Sequence, residues 1–176
     1  MSSFTAFDDD FENSKPQGNG GTVKKEDLPD GEYECDIAEV NEKTVRGAPL
    51  VVVTLQIVDG QSHAGSTFTH EYWFRKADGS VNDITMNQLQ KDLTSMGLEA
   101  DQWKSQGRRF STEMPKCILV MKGMRLAVKK KTNPSGGKVY HNVYLNKRLL
   151  DGKPNPISAT ELTRLAAESA PADPFS

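Results

Sequence analysis

Apolar and polar residues alternate along three stretches in the first half of the chain. The first, "GEYECDIAEV", follows a Pro-Asp-Gly turn, and the second, "PLVVVTLQIVDG", comes after a short polar gap. In the third, "STFTHEYWF", one face carries Phe68, His70, Tyr72 and Phe74, and the other carries Thr69, Glu71 and Trp73. Alternation with a period of two is typical of half-buried strands, so these stretches predict strands one to three.

The hydrophobic period then changes to that of a helix. In "NDITMNQLQKDLTSMG", Leu89, Leu93 and Met96 recur at spacings of four and three residues. Asp83 is the predicted N-cap and Gly97 the predicted stop. The next apolar run, "EMPKCILVMKG", fits either a short helix or an early strand, because periodicity cannot decide so brief a run. We interpret it as a helix.

Alternation returns in "MRLAVKKKT" and "KVYHNVYLNKR", which predict strands four and five of a hairpin joined through Asn133–Gly137. Beyond Pro154 and Pro156, Ser158 and Glu161 have the spacing of a capping box and predict a short final helix.

This order of elements predicts a mainly β protein. It suits a five-stranded OB-type barrel with a helix between strands three and four, flanked by disordered tails. A split α+β sheet is the alternative, because the number of strands does not fix closure. We expect an acidic disordered tail over residues 1–25, an OB-type domain over residues 26–153, and a C-terminal segment over residues 154–176 with a short helix and a flexible acidic tip.

Charge is segregated along the chain, although the net charge is only −2. Met1–Glu42 carries three Lys/Arg against twelve Asp/Glu, whereas Lys104–Lys153 carries thirteen Lys/Arg against two Asp/Glu. A basic surface on a net-acidic protein indicates a polyanion as ligand, or the protein's own acidic tail. No run approaches the ~18 apolar residues of a membrane helix, so we expect a cytoplasmic protein without membrane contact.

The basic hairpin is the candidate nucleic-acid site. Single strands bind to cationic grooves that follow the phosphates and to aromatic faces on which bases stack. The candidate residues are Trp73, Arg125, Lys129, Lys130, Lys131, Lys138, Tyr140, Asn142, Tyr144, Lys147 and Arg148. In strand four, Arg125, Lys129 and Lys131 share one face; in strand five, Tyr140, Asn142 and Tyr144 share the face opposite the core. The alternative is a solvated lysine-bearing edge that resists aggregation.

Trp73, the histidines and the cysteines indicate a function less clearly than the basic hairpin does. A regular third strand would point Trp73 away from the core, whereas a bulge or the helix would bury it. His63, His70 and His141 lack the spacing of a zinc site, and Cys35 and Cys117 are too far apart for a C-x-x-C motif. We therefore expect no metal, no cofactor, no catalytic residue and a reduced pair of cysteines.

Several of these features resemble bacteriophage single-stranded-DNA-binding-like proteins. They are Gly31 with Tyr33, Gly47 with Pro49, the aromatic third strand, the "SMGL" helix end and the basic hairpin, and together they span about residues 28–148. The resemblance implies an OB fold, sequence-independent binding of single-stranded DNA in phage replication or recombination, and a place in the host cytoplasm.

The C-terminal "PADPFS" resembles the acidic, Phe-containing tip of bacterial and phage single-stranded-DNA-binding proteins. That resemblance implies that Asp173, Pro174 and Phe175 recruit replication or recombination proteins. The acidic ends also have a composition that can lie on a cationic groove and compete with DNA. A homodimer is compatible with the sequence, which does not fix the oligomeric state.

Two other functions compete with DNA binding. A protein-interaction adaptor would use the domain to dock another protein, with its charges incidental. A nuclease is the weakest alternative, because its candidate carboxylates lie in a segment that we expect to be too flexible for two-metal chemistry. They are Asp8, Asp9, Asp10 and Glu12.

Overall fold

The computed structural model describes residues 21–59, 63–150, 153–154 and 157–169. The strands in this part of the chain are β1 (Gly31–Val45), β2 (Ala48–Asp59), β3 (Thr67–Trp73), β4 (Arg125–Ser135), β5 (Lys138–Leu150) and β6 (Lys153–Pro154). The α-helices are α1 (Asp83–Ser95), α2 (Phe110–Met121) and α3 (Ala159–Ser169), and 3₁₀ turns cover Lys25–Asp27 and Ala100–Gln102. The prediction of a mainly β protein with helices between the third and fourth strands is confirmed.

All six strands form one sheet in the order β3-β2-β1-β4-β5-β6, with antiparallel neighbours. The long β1 is shared, because Gly31–Asp36 pairs with β4 while Glu34–Val45 pairs with β2. Two hairpin arms therefore extend from opposite ends of β1. Over the described residues β3 does not pair with β5, so the predicted closed barrel is replaced by an open, six-stranded sheet.

Helix α1 lies between β3 and β5. It packs against both β3 and β5. Its Asp92 accepts a hydrogen bond from the Tyr72 hydroxyl of β3 at 2.6 Å and another from the backbone N–H of Leu145 in β5. Strands β3 and β5, which do not pair with each other in the part of the chain that the structure describes, are thus joined through a helix side chain.

The helices form largely as the sequence predicts. Asn82, one residue before the predicted Asp83, caps α1, because its Oδ1 accepts the Thr85 N–H at 3.3 Å. The ambiguous apolar run belongs to α2, so the interpretation as a helix is confirmed, although the helix begins earlier, at Phe110.

The folded unit extends beyond both predicted domain limits. Val23 donates its N–H to the Thr67 carbonyl at 2.8 Å, along the free edge of β3. At the other end, Ser158 Oγ caps α3 through the Glu161 N–H at 3.2 Å, and Leu162 and Ala166 are buried. Helix α3 packs on α2 and completes the core. The predicted disorder of residues 1–20 and 170–176 lies outside the described residues.

Candidate nucleic-acid interface

The outer face of the β4–β5 hairpin has the predicted composition. Lys129 lies opposite Tyr144 in the register, and Lys131 lies opposite Asn142. Val128 and Leu145 point the other way, into the core, where both are buried. The predicted division of the hairpin into a core face and an outer cationic and aromatic face is therefore confirmed.

A groove of about 570 Å³ runs between this outer face and α1. We call it the cationic groove; its lining includes Lys91, Lys129, Lys131, Tyr144 and Asn146. Three ammonium groups and a partly exposed phenol thus share one concave surface with amide and hydroxyl groups, the exposed carboxylate of Asp101 and the buried carboxyl group of Asp92. Lys91 comes from α1, and its place beside the hairpin depends on a tertiary contact that the sequence does not reveal.

Lys130 does not belong to this surface, which corrects its sequence assignment as a DNA contact. It is 3% exposed, and its Nζ donates to Asp30 Oδ1 at 3.0 Å and to Thr132 Oγ1 at 2.9 Å. Thr132 also donates to Asp30 through its hydroxyl and its N–H. These hydrogen bonds from Thr132, followed by that from Lys130, lower the pKa of Asp30 to about 2. Lys130 therefore ties the hairpin to the start of β1.

Arg125 lies on the outer face but is already paired. Its guanidinium donates to both Asp36 carboxylate oxygens, at 2.8 and 3.0 Å, and this pairing raises its pKa. Asp36 continues a row of outward carboxylates along β1 that includes Glu32 and Glu34, and we call these three the acid row. Because this row repels phosphates, a polyanion on β4 is directed towards α1 and away from β1.

The other hairpin candidates lie outside the lining of the cationic groove. Lys138 and the half-exposed Tyr140 are near the Gly136–Gly137 turn at the tip of the arm. Lys147 is exposed near the opposite end of β5, and Arg148, partly exposed, is in register with Leu126. Lys138 and Tyr140 thus extend the outer face towards the tip of the arm. Arg148 does not, because residues directly opposite each other point to the same face and Leu126 is buried in the core, which corrects the sequence assignment of Arg148 as a DNA contact.

Trp73 points outward, as predicted for a regular strand, but towards a different groove. Its indole N–H donates to Glu71 Oε2 at 2.8 Å. Trp73 lines a groove of about 670 Å³ together with Arg46, Arg75 and Lys76. We call this the Trp73 groove. Sequence analysis missed these three cations, because they are isolated in two separate turns that only the β1–β2 and β2–β3 pairings bring together.

Buried ionisable groups lie behind the cationic groove. Asp92 is 2% exposed, and burial raises its pKa to about 7. His70 is 8% exposed, and burial lowers its pKa to about 3. His70 Nε2 lies 4.0 Å from Asp92 Oδ2, too far for a hydrogen bond, and neither ring nitrogen has a hydrogen-bond partner among the described residues.

The described part of the chain was also searched for metal sites, reactive thiols and membrane-spanning helices. No group of three His, Cys, Asp or Glu side chains there could hold a metal ion. Cys35 and Cys117 are buried free thiols, and burial raises the pKa of each to about 12. Among the described helices, none is both long and apolar enough to cross a membrane.

The sequence profile of a family described as "Protein of unknown function (DUF669)" matches residues 10–156. The chain belongs to the DUF669 family. The DUF669 match includes all six strands, together with α1 and α2, so both cationic surfaces lie within it. No curated protein matches the chain. The predicted partner-binding residues Asp173, Pro174 and Phe175 lie outside both the match and the described residues.

Proposed function

We propose that the protein binds single-stranded DNA without sequence preference, in phage DNA replication or recombination. The observation that carries the proposal is the cationic groove, whose lining includes Lys91, Lys129, Lys131 and Tyr144, with Lys129 directly opposite Tyr144 in the register. Ammonium groups neutralise phosphates of any sequence, and every base has a face that can stack on a phenol.

The geometry favours a single strand over a duplex. A base can reach the Tyr144 ring only if it is unstacked from its neighbours, and a paired helix does not offer such a base. The acid row further limits the width of the positive surface on the β1 side. A flexible strand can follow the remaining concave path between α1 and β5.

The strand arrangement is compatible with an OB-type architecture. OB folds bind oligonucleotides on the face of strands two and three and through the loops beside it. The Trp73 groove lies at the end of β3, beside the β1–β2 turn. In this proposal it forms a second contact region, and the bridge from Tyr72 through Asp92 to Leu145 takes the place of direct β3–β5 pairing.

Filter binding of oligo-dT against a duplex of the same length tests the proposal. We expect the single strand to bind more tightly, and the Lys129→Ala/Lys131→Ala double variant to lose affinity. Lys122→Ala removes an exposed lysine that lines neither groove and serves as the matched control. Equal affinity for duplex and single strand would contradict the proposal. Absence of binding to both would favour the alternative of a protein-interaction adaptor.

A further inference from the structure

An apolar groove of about 300 Å³ lies along another face of α1. Its apolar walls come from α1, the following 3₁₀ turn and the start of α2, and they consist of Met86, Leu89, Leu93, Ala100, Trp103 and Phe110. None of the residues that line it is a carboxylate. The volume is at the low end of ligand pockets, ~300–1,000 Å³, and suits the side chains of a peptide.

The groove has an apolar floor and a cationic rim. Trp103 is 6% exposed, whereas Phe110 is 40% exposed and contacts Phe74 edge-on at a centroid distance of 5.8 Å. Lys104 is exposed at the rim. The Arg108 guanidinium lies 5.8 Å from the centre of the Trp103 ring, and its charge is already paired with Glu113 at 3.1 Å. A peptide with aromatic side chains and negative charges would complement this surface.

The first fourteen residues of the chain, "MSSFTAFDDDFENS", have that composition. Phe4, Phe7 and Phe11 are spaced by three and four residues, the spacing that aligns side chains on one face of a helix docked in a groove. Asp8, Asp9, Asp10 and Glu12 lie among them, and no lysine or arginine precedes Lys15.

The connection to the described part of the chain is long enough for this segment to reach the groove. Nine residues lie between Phe11 and Gly21, and the ten residue-to-residue steps span up to about 33 Å when extended. A folded unit of this size has a radius of gyration of about 15 Å. Gly21 is fixed beside β3, where its carbonyl accepts the Thr67 N–H at 2.8 Å, and α1 packs against β3.

We propose that Phe4, Phe7 and Phe11 occupy the apolar groove of the same chain, with the neighbouring carboxylates close to Lys104 at the rim. Tethering gives the segment an effective concentration in the millimolar range, on the order of what a short flexible linker provides. The docked segment covers the exposed apolar surface of Phe110. The inference does not depend on DNA binding.

The two tryptophans provide a direct test in the full-length protein, because each has one indole N–H signal in a ¹H–¹⁵N spectrum. Trp103 lines the apolar groove and Trp73 lies in the Trp73 groove, so Trp73 is an internal control. The Trp73→Phe variant assigns the two signals. We expect the Phe4→Ala/Phe7→Ala/Phe11→Ala variant to shift the Trp103 signal beyond its line width and to leave the Trp73 signal in place.

Two further variants separate the contributions. Replacing Asp8, Asp9 and Asp10 by asparagine should move the Trp103 signal part of the way towards its position in the triple Phe variant. Val139→Ala, an exposed apolar residue at the tip of the hairpin arm, should move neither signal. An unchanged Trp103 signal in the triple Phe variant would overturn the proposal. So would a wild-type Trp103 signal that moves on dilution, because the occupant would then come from a second copy of the chain.

Discussion

Replacing Asp92 by asparagine should change how the stability of the protein depends on pH. The carboxyl group is buried and accepts hydrogen bonds from the Tyr72 hydroxyl at 2.6 Å and the Gln88 amide at 2.7 Å. Burial outweighs these hydrogen bonds and raises its pKa from 3.8 to about 7. The folded protein therefore keeps a proton on Asp92 over a pH range in which the unfolded chain has lost it.

The direction of the effect follows from this difference in bound protons. Between about 3.8 and about 7, the folded state binds one more proton than the unfolded state, so the Asp92 contribution to stability falls as pH rises. One pKa unit corresponds to about 1.4 kcal/mol. The free energy of unfolding of Asp92→Asn minus that of the wild type should thus rise by about 1.4 kcal/mol per pH unit, and by about 4 kcal/mol over the window.

His70 contributes with the opposite sign. Burial lowers its pKa from 6.5 to about 3, so the unfolded chain binds the extra proton in that range and stability rises with pH. In the wild type the two contributions therefore oppose each other between about 3.8 and about 6.5. Asp92→Asn removes the opposing contribution, so the stability of the variant should rise with pH more steeply than that of the wild type.

Urea denaturation at several pH values between 4 and 8, followed by tryptophan fluorescence, measures this difference. Asp101→Asn removes an exposed carboxylate near the same helix and controls for the change in net charge. A constant offset of about 1 kcal/mol from a disturbed hydrogen bond would not alter the slope. Parallel stability curves for the wild type and Asp92→Asn would refute the reasoning, because Asp92 would then ionise alike in the folded and unfolded states.

Three further predictions concern the DNA-binding surface and the N-terminal segment. Lys130→Met should lower the melting temperature in a thermal scan and leave the salt dependence of oligo-dT binding unchanged; a lower salt slope would place Lys130 on the DNA. Tyr144→Ala should weaken oligo-dT binding by about 1–3 kcal/mol in fluorescence anisotropy, and an unchanged affinity would exclude base stacking there. Deleting residues 1–20 should tighten oligo-dT binding at low salt, because it removes carboxylates that repel phosphates near the cationic groove, and the gain should be lost as salt screens that repulsion; identical salt series would show that the segment does not affect DNA binding.

Local patterns predicted the elements and faces better than they predicted contacts between distant segments. The alternation in β4 separates Lys129 and Lys131 from Leu126 and Val128, and the structure confirms that division. Lys130 lies two residues after Val128, and in a strand such residues point to the same face. The alternation in the sequence therefore indicates that Lys130 points inward. Its assignment as a DNA contact rested on the high density of positive charge in this stretch and not on the alternation.

The remaining features depend on long-range pairing. The acid row meets β4 because residues about 90 positions apart are neighbours in the register, as the Asp36 and Arg125 pair shows. Asp92 lies three residues after Leu89, on the buried face of α1, but its partners Tyr72 and Leu145 lie on different strands. The spacing of apolar residues within one element therefore predicts neither the open sheet nor the hydrogen bonds that join Tyr72 and Leu145 through Asp92.

The salt dependence of oligo-dT affinity, measured by fluorescence anisotropy, tests the central claim most directly. Each phosphate neutralised on a single strand contributes about 0.7 to the slope of log affinity against log salt, so three to six contacts predict a slope of roughly −2 to −4. The three lysines of the cationic groove account for the lower end of that range. A flat salt response would contradict the proposed function.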